Sequence, residues 1–144
     1  MLLAIQEAKK ALQLDDVPVG SIIVLDGKVV GAGYNKSISE CNPTSHAEIN
    51  SIIQASEQLQ NYRLLNATIY TTLEPCTMCY GAIVHSRIKN IFFGAYDKKT
   101  GVCGSCLSLN NSSCFNHYPN ITGGILEYEC SQLLKNFFEA KREL

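Results

Sequence analysis

The chain has 144 residues, of which 46% are hydrophobic and 17% are charged. This length predicts a single domain spanning residues 1–144, and this composition excludes a disordered chain. The 12 basic and 13 acidic side chains leave a net charge of −1, so bulk charge indicates neither a nucleic-acid nor a membrane partner. No apolar run reaches the ~18 residues of a membrane span, and the first residues lack the order of a secretory signal. We therefore expect a cytoplasmic protein whose seven cysteines bind metal or pack as thiols rather than form disulfides.

Hydrophobic periodicity predicts an alternation of helices and strands. The predicted elements are, in chain order, helix 2–13, strands 19–25 and 28–34, a helix from Ser45 with Ile49, Ile52 and Ile53 on one face, strand 67–72, helix 76–86 with Pro75 in its first turn, strand 90–95, strand 121–126 and helix 127–141. Asp26-Gly27 predicts a two-residue hairpin turn, in which both positions need positive φ. The stretch 96–118 is polar and irregular. This order predicts an α/β three-layer sandwich, in which a five-stranded, mostly parallel mixed sheet has helices on both faces and the hairpin supplies the antiparallel pair.

Two short strings carry side chains that can bind a metal, His46-Ala47-Glu48 and Pro75-Cys76-Thr77-Met78-Cys79. Cys76 and Cys79 are three positions apart at a helix N-terminus, where they share one face and the helix dipole favours thiolates. Together with His46 they form three ligands for zinc, and the fourth position stays open for a water that zinc makes acidic. Glu48 can then shuttle that proton, provided that His46 lies at the irregular edge of its helix, where Ser45 is a good N-cap.

Each string also has a plainer interpretation. Ser45 and Glu48 have the spacing of a capping box, in which Glu48 would only satisfy a backbone amide. A lone histidine is more often packed or solvated than a ligand, and a lone C-x-x-C can be a redox pair or part of a structural zinc site. The combination of H-x-E with P-C-x-x-C at two helix starts is more specific, because it is the established signature of zinc-dependent base deaminases.

Over nearly its whole length the chain resembles the bacterial tRNA-specific adenosine deaminases. The strings that carry the resemblance include Val17-Pro18-Val19-Gly20, Gly33-Tyr34-Asn35, Asn42-Pro43-Thr44-Ser45-His46-Ala47-Glu48, Asn61-Tyr62-Arg63-Leu64 and Leu73-Glu74-Pro75-Cys76-Thr77-Met78-Cys79. The zinc strings are shared with cytosine, guanine and cytidine deaminases. The stretch 96–101 with Gly104-Ser105, and the tail helix bearing Phe137-Phe138, are similar to the tRNA enzymes rather than to those relatives.

The resemblance implies a cytidine deaminase-like fold, a homodimer, and hydrolysis of the wobble adenosine of a tRNA anticodon loop to inosine with release of ammonia. It implies one zinc ion per subunit, with the ligands His46, Cys76 and Cys79. It also implies that Glu48 is the catalytic proton shuttle, that Asn35 contacts the base and that the backbone of Ala47 touches it. On composition alone, Asn35 is equally typical of a turn.

A local excess of positive charge is consistent with an RNA partner. Between residues 85 and 126 there are four basic residues against one acidic residue, although a solvated face is at least as common for so few charges. The candidate RNA contacts are Arg87, Lys98, Lys99, Phe137 and Arg142. One ring of Phe137-Phe138 can stack on a base while the other joins the core, but burial of both is commoner in an amphipathic helix.

Three questions stay open at this stage. Cys103, Cys106, Cys114 and His117 have a spacing that can bind a second zinc, although small buried thiols are the more ordinary interpretation. The same fold can instead deaminate a free base or nucleoside such as guanine, cytosine or cytidine. A non-catalytic RNA-binding zinc subunit is the third alternative, and the presence of Glu48 argues against it because a structural site needs no proton shuttle.

Overall fold

The computed structural model describes residues 1–144 as one five-stranded sheet with four α-helices. The elements are α1 (Leu2–Gln13), β1 (Gly20–Leu25), β2 (Lys28–Tyr34), α2 (Ala47–Leu59), β3 (Thr68–Leu73), α3 (Thr77–His85), β4 (Asn90–Ala95), a short 3-10 helix (Leu109–Asn111), β5 (Asn120–Thr122) and α4 (Glu127–Arg142). The predicted order and type of the elements are confirmed. No helix is both long enough and apolar enough to span a bilayer.

The sheet has the strand order β2-β1-β3-β4-β5. β1 pairs antiparallel with both β2 and β3, whereas β3, β4 and β5 run parallel. The mixed sheet is therefore confirmed, but the expectation that only the hairpin is antiparallel is wrong. The reason is the crossover through α2, which leaves β2 and returns in β3 on the other side of β1. Such a crossover makes β2 and β3 parallel to each other, so β1 between them is antiparallel to both.

Helices cover both faces of the sheet, as predicted. Successive strand residues point to opposite faces, and β1 shows the consequence at Gly20 and Ser21. A Cβ on Gly20 would lie 2.0 Å from the carbonyl oxygen of Ala4 in α1, whereas the Ser21 hydroxyl lies 2.9 Å from the Ser51 hydroxyl in α2. The larger core lies on the side of α2 and α3. There the paired strand residues Ile23, Ile69 and Ile91 meet Tyr80 and Ile83 of α3. The smaller core, on the side of α1 and α4, centres on Ile5, Ala95 and Cys130.

α2 packs on the sheet through small side chains. Its buried residues are Ala47, Glu48, Ser51 and Ala55. Of the three isoleucines predicted to share one face, Ile52 is partly buried against the larger core but Ile53 is 50% exposed, so the three do not form the buried face together. Gly33 in β2 explains the difference, because a Cβ there would lie 2.5 Å from the Ser51 nitrogen and 2.6 Å from the Ala47 oxygen. The helix backbone approaches the strand too closely for bulky side chains to lie between them.

Two turns define how the predicted strands end. Asp26 (φ 51°) and Gly27 (φ 74°) form the hairpin turn with positive φ at both positions, as predicted. The last strand, in contrast, covers Asn120–Thr122 rather than 121–126. It stops because Gly123 packs against Phe93, with a would-be Cβ 2.3 Å from the ring, and because Gly124 has φ +83°. These two glycines turn the chain toward α4.

We predict that Gly33→Ala lowers the free energy of unfolding by about 1–3 kcal/mol, the usual cost of overpacking. The added methyl overlaps backbone atoms of α2, so the start of that helix must shift. Gly81→Ala in α3 is the matched control, because a Cβ there meets nothing within 4 Å and alanine favours the helix by about 0.5–1 kcal/mol. Urea denaturation followed by circular dichroism measures both. Equal stability changes in the two variants would contradict the prediction.

Candidate active site

The start of α2 places the side chains of His46 and Glu48 in the lining of the same pocket. His46 is the N-cap and is extended (φ −79°, ψ 156°), so the prediction of Ser45 at the N-cap is wrong by one residue. The Ser45 hydroxyl instead donates to Glu40 Oε2 at 2.8 Å, and no capping box forms. His46 thus lies outside the helical spiral while Glu48 lies in its first turn, which lets side chains two positions apart line the same cavity.

The start of α3 supplies two thiols in the same way. Cys76 is the extended N-cap (φ −81°, ψ 176°), so the helix begins at Thr77 and Pro75 precedes it. His46 Nδ1 lies 3.7 Å from Cys76 Sγ and 3.4 Å from Cys79 Sγ. The three ligand atoms all lie within 4.8 Å of one another. The fold therefore brings together three side chains that can hold one metal ion.

Hydrogen bonds within this group set its charges. A hydrogen bond from the Cys79 thiol, together with the contact with His46, lowers the pKa of Cys76 to about 4. The same bond to Cys76, with burial, raises the pKa of Cys79. The hydrogen bond to Cys76 is also the main cause that raises the pKa of His46. One thiolate is thus available at neutral pH beside an imidazole. A bound metal ion would take the place of the protons in the hydrogen bonds that link these three side chains.

Glu48 is a buried carboxyl group that lines the same pocket. Its side chain is 4% exposed, and burial raises its pKa to about 7. A carboxyl group with such a pKa is present in both protonation states near neutral pH, which is the property that a proton shuttle needs.

The two predicted base contacts, Asn35 and Ala47, also line the cavity. Ala47 is the first residue of α2, and no protein group accepts a hydrogen bond from its N–H. Asn35 makes the local hydrogen bonds of a turn residue, since Nδ2 donates to the Val17 carbonyl at 3.2 Å and Oδ1 accepts from the Ser37 hydroxyl at 2.7 Å. The second N–H of the Asn35 amide has no acceptor in the protein and is free for a ligand.

Sequence reasoning missed two buried carboxylates that hold the walls of the cavity. Asp16 accepts hydrogen bonds from the N–H groups of Ile38 (3.0 Å) and Ser39 (2.9 Å), and Ile38 lines the cavity. On the other side, Glu74 binds the loop that follows β4. Each acid stands within two residues of a proline in an apolar stretch, which is the only sequence signal for its burial.

The candidate RNA contacts fall into two groups. Lys98 and Lys99 are exposed on the loop after β4, beside cavity residues, and Arg142 is exposed at the end of α4. Arg87 lies away from the cavity, and its Nη1 donates to the Val84 carbonyl at 2.8 Å. Phe137 is 8% exposed and Phe138 is 45% exposed, so the ring available for stacking is Phe138, a correction to the choice of Phe137.

The suggested second metal site is absent. His46, Cys76 and Cys79 form the one group of histidine, cysteine or acidic side chains that the structure brings to metal-binding distances. His117 Nε2 instead donates to the Ile88 carbonyl at 2.7 Å. Cys106 and Cys114 are exposed, so the alternative of small buried thiols is also wrong for them; Cys103 alone is partly buried.

The fold and the two helix-start motifs define the chain as a deaminase. A family model described as MafB19-like deaminase matches residues 1–142. A tRNA-specific adenosine deaminase of Haemophilus influenzae is 49% identical, covering 99% of this chain and 83% of that protein. A solved structure from a study of A-to-I editing by tRNA:A34 deaminases at the wobble position of transfer RNA has a TM-score of 0.90 at 40% identity, covering 93% of this chain and 97% of that one.

The chain belongs to the tRNA-specific adenosine deaminase family. A guanine deaminase from Nitrosomonas europaea has a TM-score of 0.78 at 18% identity, covering 93% of this chain and 80% of that one. That likeness reflects the fold alone.

We predict that Asp16→Asn lowers the free energy of unfolding by about 1–3 kcal/mol at pH 7, because the amide nitrogen that replaces one carboxylate oxygen then faces a backbone N–H group. Burial opposes ionisation, but hydrogen bonds from Ser39 and Ile38 hold the pKa of Asp16 below its ordinary value of 3.8. The charge therefore adds stability above about pH 4, and this contribution is lost as the pH falls through the folded-state pKa.

Urea denaturation across this pH range measures the effect, and the difference between the two proteins should shrink below about pH 4. Asp15→Asn is the matched control, because the Asp15 side chain is 74% exposed and its ion pair with Lys141 contributes little stability. A difference for Asp16→Asn that stays constant with pH would rule out the role of the charge.

Proposed function

We propose that this protein deaminates the wobble adenosine of a tRNA anticodon loop to inosine and releases ammonia. The observation that carries the proposal is the buried Glu48 carboxyl on the same cavity as the His46, Cys76 and Cys79 group. Identity of 49% with a tRNA-specific adenosine deaminase over 99% of the chain supports the choice of substrate. Because tRNA is the substrate, we expect the protein to work in the cytoplasm.

Zinc is the metal that suits this site. One nitrogen and two sulfur donors are typical zinc ligands, and three of them leave a coordination position open, as in catalytic sites. We propose that His46, Cys76 and Cys79 hold one zinc ion per subunit. When bound, zinc supplies the Lewis acidity that makes water a nucleophile near neutral pH.

Glu48 moves the protons of the reaction. Its buried carboxyl takes a proton from the attacking water and gives it to the ring nitrogen beside C6 of the adenine. The carboxylate then takes the second proton, from the hydroxyl group now on C6, and delivers it to the amine; as the C6 carbonyl forms, the C–N bond breaks and ammonia leaves. A pKa of about 7 lets one group accept and donate in turn without a large cost for either step.

The walls of the cavity hold a base that has been turned out of a single-stranded loop. The unpaired N–H of Ala47 and the spare N–H of the Asn35 amide are donors for acceptor atoms of the base. Val17, Val19 and Leu73 supply apolar surface to the same cavity. Donors on one side and apolar contacts around them fix the orientation in which C6 meets the attacking water.

Several exposed side chains are candidates to bind the RNA on either side of the reacting base. Lys98 and Lys99 stand beside the cavity and suit phosphate contacts, while Phe138 and Arg142 of α4 suit stacking and phosphate contacts further away. Arg87 is a weaker candidate because its guanidinium is bound to the end of α3. We propose that two copies of the chain form the active homodimer, on the basis of the family, and light scattering of the purified protein tests this.

We predict that Glu48→Gln lowers the rate of inosine formation by about 10²–10⁴-fold, because the amide cannot shuttle a proton. Bound zinc should remain, since Glu48 is not among the three ligand side chains. The assay incubates an anticodon stem-loop carrying a wobble adenosine with the protein, and sequencing then detects inosine because it is read as guanosine. Glu57→Gln, an exposed glutamate on the same helix, is the control and should keep full activity.

Three results would contradict the proposal. Undiminished turnover by Glu48→Gln would remove the proton shuttle, and ammonia release from guanine, cytosine or cytidine without any from the stem-loop would indicate a free-base or nucleoside deaminase. Tight RNA binding with no deamination of any substrate by the unaltered protein would instead indicate a non-catalytic subunit.

We predict that Cys79→Ala reduces bound zinc from near one ion per chain to near zero, because two remaining ligands hold zinc too weakly. Elemental analysis of the purified proteins measures the metal. Cys114→Ser, which alters an exposed cysteine outside the group, is the control and should keep one ion per chain. Zinc retained by Cys79→Ala but lost from Cys114→Ser would overturn the assignment of the ligands.

A further inference from the structure

One buried carboxylate gathers the loop that follows β4. Glu74 is 2% exposed. Its Oε1 accepts from the Asp97 N–H at 3.1 Å and from the Ser105 hydroxyl, and its Oε2 accepts from the N–H groups of Cys103 (2.9 Å) and Ser105 (3.1 Å). A Cβ on Gly101 would lie 2.5 Å from the Glu74 carboxyl carbon, so the middle of the loop also lies against this group. We call residues 97–105 the 97–105 loop.

Glu74 also belongs to the segment that carries the candidate zinc ligands Cys76 and Cys79, which we call the metal-binding segment. Glu74 stands two positions before Cys76, and its own N–H donates to the Ala95 carbonyl at 2.9 Å. The next carbonyl along the chain, that of Pro75, accepts from the Val102 N–H at 3.0 Å. The segment that carries the candidate zinc ligands and the 97–105 loop are therefore hydrogen-bonded to each other along two successive residues.

A carboxylate suits this position better than any neutral side chain. Three backbone N–H groups and one hydroxyl converge on it, and a carboxylate is an acceptor with about four lone-pair sites and no hydrogen of its own. Burial of such a group is costly unless its bonds are satisfied, as they are here. An apolar side chain would leave three backbone N–H groups without an acceptor.

The loop presents groups to the cavity and to its rim. Asp97 and Thr100 line the cavity, and exposed Lys98 and Lys99 lie between them. The Asp97 carboxylate accepts from the N–H groups of Lys99 (3.0 Å) and Thr100 (3.1 Å), so this turn is ordered within itself. These internal bonds do not determine where the turn lies relative to the metal-binding segment. The hydrogen bonds to Glu74 fix that position.

We propose that Glu74 is a positioning residue that holds the 97–105 loop as one wall of the cavity, so that this loop contacts the RNA around the reacting base. The proposal rests on the proposed function, because it assigns the loop to RNA recognition at that same site. Glu74 acts through the loop rather than on the reacting atoms. Loss of its bonds should therefore weaken RNA binding more than it slows the chemical step.

Glu74→Gln tests this with almost no change of shape. One acceptor oxygen becomes an amide donor that faces N–H groups, so two of the four bonds are lost. We expect KM for the anticodon stem-loop to rise about tenfold while kcat changes less than about threefold. Hydrogen exchange of the free protein should be at least about tenfold faster at the amides of Asp97, Cys103 and Ser105, and unchanged in α1 and α4. Zinc content should stay at one ion per chain.

Ser105→Ala gives a milder version of the same change, because it removes only the hydroxyl bond. It should raise KM and the exchange rates in the same direction by about two- to threefold. This variant decides the question if Glu74→Gln does not fold. Glu57→Gln, the exposed control, should leave KM, kcat and exchange unchanged.

Unchanged exchange in the 97–105 loop, loss of zinc from Glu74→Gln, or a fall in kcat with an unchanged KM would each overturn the positioning role. These outcomes differ from failure of the proposed function. In that case the unaltered protein would not deaminate the stem-loop, while the exchange experiment would still report whether Glu74 holds the loop.

Discussion

The candidate site depends on one constraint: two helices must begin side by side on the same face of the sheet, each with an extended residue at its N-cap. His46 and Cys76 are those residues. Extended backbone at an N-cap turns the side chain out of the helical spiral, so each helix supplies one group from the cap and another from its first turn. Glu48 and Cys79 are the second members of the two pairs. Four functional groups thus converge from two short strings, without any long side chain reaching across the molecule.

Close packing brings the helix starts together. Gly33 lets the first turns of α2 lie directly on β2, and the Ser21 and Ser51 hydroxyls meet in the buried contact between β1 and α2. Small residues in such a contact allow little sliding, because protein interiors are close-packed and backbone touches backbone. The apolar core beneath α3 fixes the other helix, with Tyr80 and Ile83 buried in it. The positions of His46, Cys76 and Cys79 are therefore set by packing outside these three residues, as a preorganised site requires.

Buried carboxylates have two different fates around this cavity, and their partners explain the difference. Asp16 and Glu74 each receive backbone N–H groups from a loop. Glu48 has no such loop amides, and burial dominates its titration, so its pKa rises to about 7. A carboxylate thus serves as a structural acceptor where donors converge, and where they do not it has the pKa that the proposed proton shuttle needs. The helix starts carry the groups proposed for the chemistry, whereas the two loops bound by Asp16 and Glu74 form the walls of the cavity.

The sequence predicted the parts of this arrangement that local pattern controls. Helix 2–13, the Asp26-Gly27 turn and the order of elements follow from periodicity and turn chemistry, and His46 and Glu48 were found because their string has a fixed spacing. Three of the errors have a common cause, since each depends on contacts between distant segments. The pairing of β1 with β3, the early end of β5 at Gly123, and the burial of Phe137 rather than Phe138 are all decided by tertiary packing.

Glu74 shows why the group that holds the 97–105 loop escapes a search for chemical motifs, although the loop itself carries sequence signals. Its partners are backbone amides 23 to 31 positions away, and the residue type at a position does not reveal which backbone amides will serve as donors. A motif search finds side chains that perform chemistry, but it cannot find an acceptor whose donors are supplied by the shape of a loop. Because loops held in this way can change without moving the helix starts, one fold can present different walls to different bases.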